Sequence, residues 1–191
     1  MPGVGKSVVA KQVARILNAK YVDLSEYVIE HKLYVEYDSE INSYIIDEDR
    51  VKEAIRALAK KYRKVVLSSH YGEITPKDLV EKIIVLRIDP EELEKRLKQR
   101  GWSRIKILEN IVAEILSVCT ANAIKEHGVS KVVEIDATNK SIETIIREIM
   151  MALENKLPIG PRIDWFERKS LEIIEKYLKE LEELEKNYVV Y

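Results

Sequence analysis

The fold is decided by residues 1–7, which read MPGVGKS. The last three of these residues match the end of the phosphate-binding pattern G-x-x-x-x-G-K-[ST]. In such a loop the backbone N–H groups point at a polyanion, and glycine lets the backbone approach it closely. Lys6 is placed to reach the terminal phosphates, and the Ser7 hydroxyl is placed to bind Mg²⁺. The stretch therefore predicts a nucleotide-binding site built on Gly3, Gly5, Lys6 and Ser7.

The residues after this loop alternate between helical and strand patterns. Apolar side chains at Val9, Val13 and Ile16 predict a helix over 6–17 that follows the loop directly. Further strands are predicted at 20–24, 64–69, 82–88 and 131–136, and further helices at 47–62, 90–100, 104–126, 140–154 and 165–187. Residues 25–46 lack clean periodicity and predict a small irregular or helical lobe. The alternation predicts an α/β fold, with a doubly wound, mostly parallel sheet and helices on both faces.

The composition is that of an ordinary soluble globular protein. The chain has 191 residues, of which 46% are hydrophobic and 34% are charged, and its formal net charge is −1. Because there is no overall basic field, direct sequence-specific nucleic-acid binding is not expected. No apolar run approaches the roughly 20 residues of a membrane span, and no secretory leader opens the chain. The single cysteine, Cys119, excludes an internal disulfide. We therefore expect a cytoplasmic protein with no membrane partner.

Two further features are candidates for the site. A basic cluster lies where a predicted helix ends, and such cations often only complement the helix dipole. The alternative is a lid whose arginines close over the phosphates and exclude water. His70 follows a predicted strand at the sheet edge where α/β proteins bind ligands, although a lone histidine is often structural. The cluster consists of Lys95, Arg96, Lys98, Arg100 and Arg104.

Several segments are shared with one known family. They are residues 2–7, 46–51, His70, 85–87, 96–102, 106–107, 109–110 and 114–115, which include the spacing Arg96-Leu97-x-x-Arg100-Gly101-Trp102. Together they resemble the atypical adenylate kinases of archaea and eukaryotic nuclei, a family that also serves maturation of the small ribosomal subunit. The resemblance covers about residues 1–155.

The resemblance implies a fold and an activity. The implied fold is a P-loop NTPase core at 1–155, with a nucleoside-monophosphate lobe at about 23–46 and a lid at about 99–109. Residues 156–191 would form a linker and a C-terminal helix, which is either a solvated helix packed along one stripe or a docking helix for a partner. The implied reaction is reversible transfer of the ATP γ-phosphoryl group to AMP, which gives two ADP, with ATPase side activity. The implied partners are ribosomal protein uS11 and the small ribosomal subunit, during processing of 16S rRNA.

The family also implies roles for single residues. Gly3, Gly5, Lys6, Ser7 and Val8 match its ATP-binding loop, and Arg100 matches its lid contact to ATP. We expect Lys6, Arg96, Arg100 and His70 to act in catalysis, with ATP and Mg²⁺ as cofactors and Ser7 at the metal.

The chain departs from the family at two places. The leading glycine of the loop and the strand before it are not in this sequence, and loss of a central strand is expected to expose apolar edges and anchor the loop poorly. Ser68 stands where the family usually has the aspartate that holds Mg²⁺ through water. Asp23, Glu73 and Asp89 are the candidates to replace that carboxylate.

Two other functions stay open at this stage. The chain could be a nucleotide-gated ribosome assembly factor with little kinase turnover. It could also be a P-loop kinase of a small metabolite, although the block from Arg100 to Glu114 argues against this.

Overall fold

A computed structural model describes residues 2–38 and 43–188 of the chain. The helices are α1 (Lys6–Ile16), α2 (Leu24–Glu30), α3 (Glu48–Lys61), α4 (Pro90–Gln99), α5 (Arg104–Ile115), α6 (Val118–His127), α7 (Ile142–Leu153), α8 (Trp165–Arg168) and α9 (Leu171–Tyr188). The strands are β1 (Lys20–Asp23), β2 (Tyr34–Asp38), β3 (Ser43–Ile46), β4 (Val65–Ser68), β5 (Ile83–Arg87) and β6 (Val132–Asp136). The short 3₁₀ turns lie at Gly72–Ile74, Lys77–Leu79 and Val129–Lys131.

Parallel strands covered by helices form the centre of the molecule. β1 pairs with β4, and β5 pairs with β6, both in parallel. Side chains alternate between the two faces of a strand. On the β5–β6 pair, Val85 and Val132 therefore pack with Ala123 of α6, whereas Leu86 and Val133 join the main core on the opposite face. This arrangement confirms the predicted α/β architecture with helices on both faces.

A groove separates β4 from β5. Its volume is about 560 Å³, and it is lined by Val65 and Leu67 of β4, Ile84 of β5, and Val9 and Val13 of α1. Among the described residues, β4 pairs with β1 and β5 pairs with β6, and no strand lies between β4 and β5. The facing edges are apolar and half-buried.

The segment over 25–46 is more regular than predicted. It contains α2 and an antiparallel hairpin of β2 and β3, in which Tyr37 lies opposite Tyr44. The rings of Tyr34 and Tyr44 lie 4.5 Å apart between centroids. Cross-strand aromatic pairs stabilise a hairpin even where apolar and polar residues do not alternate along its strands. Here a register shift between Tyr34 and Glu36 interrupts that alternation, so the sequence pattern does not show the strand. Part of the predicted monophosphate lobe, 39–42, lies outside the described residues.

The single helix predicted over 104–126 is wrong. The chain bends by 54° between α5 and α6. Ser117 lies at the bend with φ 55°, a left-handed conformation. The apolar spacing runs through the bend without glycine or proline, so the pattern carries no signal for it. The predicted terminal helix is likewise divided, into α8 and α9.

No single helix in the described ranges is long and apolar enough to cross a membrane. The pair α5 and α6 meets the criteria of length and composition only when its two bent members are taken together. In this structure the apolar face of α5 lies in the main core, through Ile107, Leu108, Ile111 and Ile115.

A buried ion cluster joins the strands to the C-terminal tail. Arg87, at the end of β5, donates from Nε to Glu114 Oε1 at 2.6 Å and from Nη2 to the Glu114 carbonyl at 2.8 Å. Its Nη1 donates to Glu134 of β6. Trp165 Nε1 donates to Glu114 Oε1 at 3.0 Å, and the Ile163 N–H donates to Glu134 Oε2 at 2.8 Å. The cluster thus fixes α5, β5, β6 and the tail in one arrangement.

The two carboxylates of this cluster titrate differently. Burial raises the pKa of Glu114, although Arg87 opposes the shift. Burial also acts to raise the pKa of Glu134, but hydrogen bonds from the Arg162 N–H and the Thr120 hydroxyl, together with Arg87, lower it overall. Arg87 therefore favours the charged form of both carboxylates, and at Glu134 it does so together with the Arg162 N–H and the Thr120 hydroxyl.

We predict that Arg87→Met lowers the free energy of unfolding by about 3–5 kcal/mol at pH 7, because it leaves two buried carboxylates without a cation. Their pKa values rise in the folded variant, so folding takes up protons and the lost stability returns as pH falls from 7 toward 5. Urea unfolding at both pH values measures this. Arg56→Met, at the exposed pair with Asp78, is the control and leaves the midpoint unchanged. Equal midpoints for the wild type and Arg87→Met at pH 7 would contradict the assignment.

Candidate functional site

The phosphate loop adopts a conformation that requires its glycines. Gly3 has φ 82° and Gly5 has φ 89°, in the left-handed region that side chains disfavour. Gly5 immediately precedes α1, and no side chain caps this N-terminus among the residues that the structure describes. The first N–H groups of α1 and the positive end of its dipole thus face the loop. This is the arrangement that binds a phosphate.

Helix α4 supports the loop from below. A Cβ atom at Gly3 would lie 3.2 Å from Leu93 Cδ1 and 3.3 Å from Leu97 Cδ2, so glycine lets the loop rest on this helix. Arg96 donates from Nη1 to the Gly3 carbonyl at 3.4 Å and from Nε to Glu92 at 3.0 Å. The loop is therefore anchored through α4, and Arg96 lies under it as a supporting side chain. A direct catalytic role for Arg96 stays a prediction.

Lys6 and His70 meet at the mouth of the loop. Lys6 Nζ lies 3.2 Å from His70 Nδ1. Burial lowers the pKa of Lys6 to about 8, and the nearby positive charge of Arg100 acts in the same direction. Burial and the charge of Lys6 lower the pKa of His70 to about 4, so the imidazole is neutral at physiological pH and accepts from the ammonium group. The structure thus brings the two predicted residues together around one half-buried cation.

Of the three candidate carboxylates, Asp23 is the one with a described contact to the phosphate loop. Ser7 Oγ donates to Asp23 Oδ2 at 3.0 Å, and the Tyr21 hydroxyl donates to the same oxygen at 3.2 Å. Asp23 lies at the end of β1, directly beside Ser68 at the end of β4. The parallel register therefore places both residues at the same sheet edge as the loop.

The other two candidates for this carboxylate are bound elsewhere. Glu73 accepts from Asn122 at 3.2 Å. Asp89 caps α4 by accepting from the Glu91 N–H at 2.9 Å, and it also pairs with Lys169. Neither has a hydrogen bond to the phosphate loop among the described contacts.

The oxygens of Ser7 and Asp23 fit a Mg²⁺ ion that keeps several waters and binds substrate phosphates. The described residues contain no group of three or more His, Cys, Asp or Glu side chains that could hold a metal on their own. That is consistent with Mg²⁺ in kinases, which uses one or two protein ligands together with the nucleotide.

The predicted lid is a short turn between two helices. Arg100 caps the end of α4 and is exposed, and Gly101 follows with φ 71°. Arg104 begins α5 and pairs with carboxylates on α4 and α9. Val8 lies in the first turn of α1, so its N–H is one of the first N–H groups of that helix, and its side chain is exposed. Arg104 is thus held away in ion pairs, whereas Arg100 is exposed and its charge is near enough to act on the pKa of Lys6.

Comparisons with known proteins agree with this geometry. A family model described as AAA domain matches residues 1–117. A relative from Saccharolobus solfataricus, described as "Putative adenylate kinase", is 40% identical over 187 residues, which cover 98% of this chain and 94% of the relative. A relative of the same description from Methanocaldococcus jannaschii is 38% identical over 167 residues, which cover 87% of this chain and 90% of the relative. This chain belongs to that archaeal adenylate kinase family.

A solved structure supports the fold of the family. Shikimate kinase from Bacteroides thetaiotaomicron matches with a TM-score of 0.54 and 18% identity, over 80% of this chain and 94% of that chain. At this identity the likeness concerns the fold alone. It confirms the predicted P-loop fold, although the described strands form hydrogen-bonded pairs rather than one continuous sheet.

Sequence reasoning named the phosphate loop of this family member and left its carboxylate open among three residues. One signal was available for Asp23, which lies near the carboxyl end of the strand predicted over 20–24, where α/β folds place site residues. Glu73 and Asp89 also follow strands, so the pattern alone could not choose. The strand order favours Asp23, because β1 is the neighbour of β4 and Asp23 lies opposite Ser68.

Proposed function

We propose that the chain is a nucleoside monophosphate kinase that transfers the γ-phosphoryl group of Mg²⁺-ATP to AMP. The observation that carries the proposal is the group formed by Lys6, Ser7, Asp23 and His70 at the open N-terminus of α1. Membership of the archaeal family supports kinase activity with a nucleotide substrate. The ATPase side activity is also part of the proposal, since water can replace the acceptor whenever the lid is open.

Each residue has a task that its position allows. The N–H groups of the loop and α1 bind the phosphates, and Lys6 contributes a positive charge whose solvation has already been lost on burial. The approach of a polyanion favours the charged form of Lys6 and thus raises its pKa again. His70 holds the Lys6 ammonium in place, and exposed Arg100 can fold over the transferring group. Mg²⁺ supplies charge neutralisation between the phosphates when it is bound.

The kinase reaction gives the first test. Purified protein is expected to form ADP from ATP and AMP, and Lys6→Met is expected to lower kcat/KM by at least about a hundredfold, because it removes a preorganised charge at the phosphates. A coupled assay of ADP formation measures both. Lys60→Met, an exposed lysine on α3, is the matched control and keeps full activity. Turnover by the wild type that survives in Lys6→Met would contradict the role of the loop.

Asp23 gives the second test. Asn can still cap α2 through the N–H groups of Ser25 and Glu26, so Asp23→Asn removes the charge and keeps the helix start. We expect the Mg²⁺ concentration needed for half-maximal activity to rise about 10- to 100-fold. Titration of activity with Mg²⁺ at saturating ATP measures this. Asp47→Asn is the matched control, since Asp47 caps α3 in the same way.

A second substitution sharpens this test. Ser68→Asp in the Asp23→Asn background places a carboxylate at the neighbouring strand end and is expected to restore part of the Mg²⁺ affinity. An unchanged Mg²⁺ requirement in Asp23→Asn would exclude Asp23 from the metal site.

We also propose a role in late maturation of the small ribosomal subunit through binding of uS11. The proposal rests on the family resemblance and on one surface, the acidic tyrosine-bearing β2–β3 hairpin and the start of α3. Tyr37 and Tyr44 are exposed there, next to carboxylates that complement a basic ribosomal protein. The carboxylates belong to Glu36, Asp38, Asp47, Glu48 and Asp49. We expect purified uS11 to coelute with the protein in low salt and to be released by ATP; separate elution would contradict this role.

A small-metabolite kinase remains the alternative with a different substrate. The shikimate kinase likeness shows only a shared fold, so it does not favour this reading. A screen of monophosphates and metabolites as acceptors, with the same ADP readout, separates the two.

A further inference from the structure

The C-terminal helix α9 holds both helices that flank the predicted lid. Ile174 and Tyr177 of α9 are buried in the main core, and α9 packs along α5. Just before α9, Lys169 pairs with Asp89 at 2.5 Å and with Glu91 at 2.7 Å, where α4 begins. The tail thus contacts the helix before the lid turn and the helix after it.

The contact nearest the lid is made by Arg104, the first residue of α5. Its Nε donates to Glu180 Oε1 of α9 at 2.5 Å, and its Nη2 donates to Glu180 Oε2, which makes a bidentate pair. Its Nη1 donates to Glu94 of α4, and Glu94 also accepts from the Tyr177 hydroxyl at 2.8 Å. One guanidinium group therefore ties the three helices together beside the turn at 101–103.

The same group is a cation that phosphates can attract. Arg104 lies four residues beyond Arg100, and its side chain is 30% exposed, whereas Glu180 is 33% exposed and Glu94 is 14% exposed. Guanidinium groups bind carboxylates and phosphates in the same bidentate geometry. Any movement of α5 toward the phosphate loop on nucleotide binding therefore has to strain or break the pair between Glu180 and Arg104.

We propose that Glu180 of α9 is a positioning residue that restrains Arg104 and the lid in the nucleotide-free protein and so weakens ATP binding. The inference rests on the proposed function, since it needs ATP at the phosphate loop. A lid that exists in an open and a closed state binds ATP more weakly when contacts stabilise the open state, because part of the binding free energy is used to close it. Loss of a contact made only in the open state is therefore expected to raise the affinity for ATP. Glu180 acts through Arg104 and has no contact with the loop among the described residues.

Glu180→Gln tests the proposal, because it keeps the shape of the side chain and removes its charge. We expect faster hydrogen exchange over residues 100–108 without nucleotide, and a Kd for Mg²⁺-ATP lowered about two- to fivefold, as fits a partly exposed ion pair. Glu175→Gln is the matched control. Glu175 lies on the same helix in an exposed pair with Lys179, and its removal changes neither quantity. Circular dichroism establishes that both variants are folded.

The outcomes separate this inference from the proposed function. Unchanged exchange at 100–108, or faster exchange with an unchanged or weaker Kd for ATP, overturns the restraint while leaving the kinase proposal intact. Absence of ATP binding in the wild type and in both variants overturns the proposed function, and the inference falls with it. Faster exchange together with tighter ATP binding, in Glu180→Gln alone, supports the restraint.

Discussion

The arrangement around the phosphate loop depends on one buried cation, Arg87. It ends β5 and is enclosed with Glu114 and Glu134, each about 1% exposed or less. Such a cluster adds little net stability compared with apolar side chains of the same volume, but loss of one partner is costly. Its effect is therefore on geometry. Arg87 binds both the carboxylate and the main-chain carbonyl of Glu114, so α5 cannot slide along β5 without breaking both.

This geometry extends to the site through the order of the chain. Helix α4 begins three residues after Arg87 and supports the phosphate loop, and α5 follows it and ends in the ion cluster. The lid turn is the connection between them. The loop floor and the lid are therefore both placed relative to β5. Burial lowers the pKa of Lys6, so a phosphate that approaches it favours its charged form.

The sequence predicted what local patterns encode. The Gly-Lys-Ser tripeptide, the apolar strand runs and the Asp89-Pro90 helix start each have a short-range physical cause, and the structure confirms the elements they predict. The bend at Ser117 is a backbone conformation that no residue type signals. The pairing of Tyr37 with Tyr44 depends on the register between two strands, which the local pattern does not show. The contact of Asp23 with the loop was hidden for a related reason. Its partner Ser7 is 16 residues away and becomes a neighbour only when α1 packs against β1.

The tail is tied to the rest of the molecule through the main core. Residues 156–191 were predicted to form a linker and a helix that either packs along one stripe or docks a partner, and Ile174 (1% exposed) and Tyr177 (2% exposed) lie in that core. The reason is found in α5, where Leu108 and Ile111 are fully buried and further apolar side chains extend around the helix. A helix that is apolar on more than one side must be covered on more than one side. α9 packs along α5 and supplies part of that cover, so the apolar pattern of α5 itself calls for a partner such as α9. Because α9 covers α5, it also contacts the helix that begins at the lid turn. A change in the contacts of α9 can therefore alter the position of the lid.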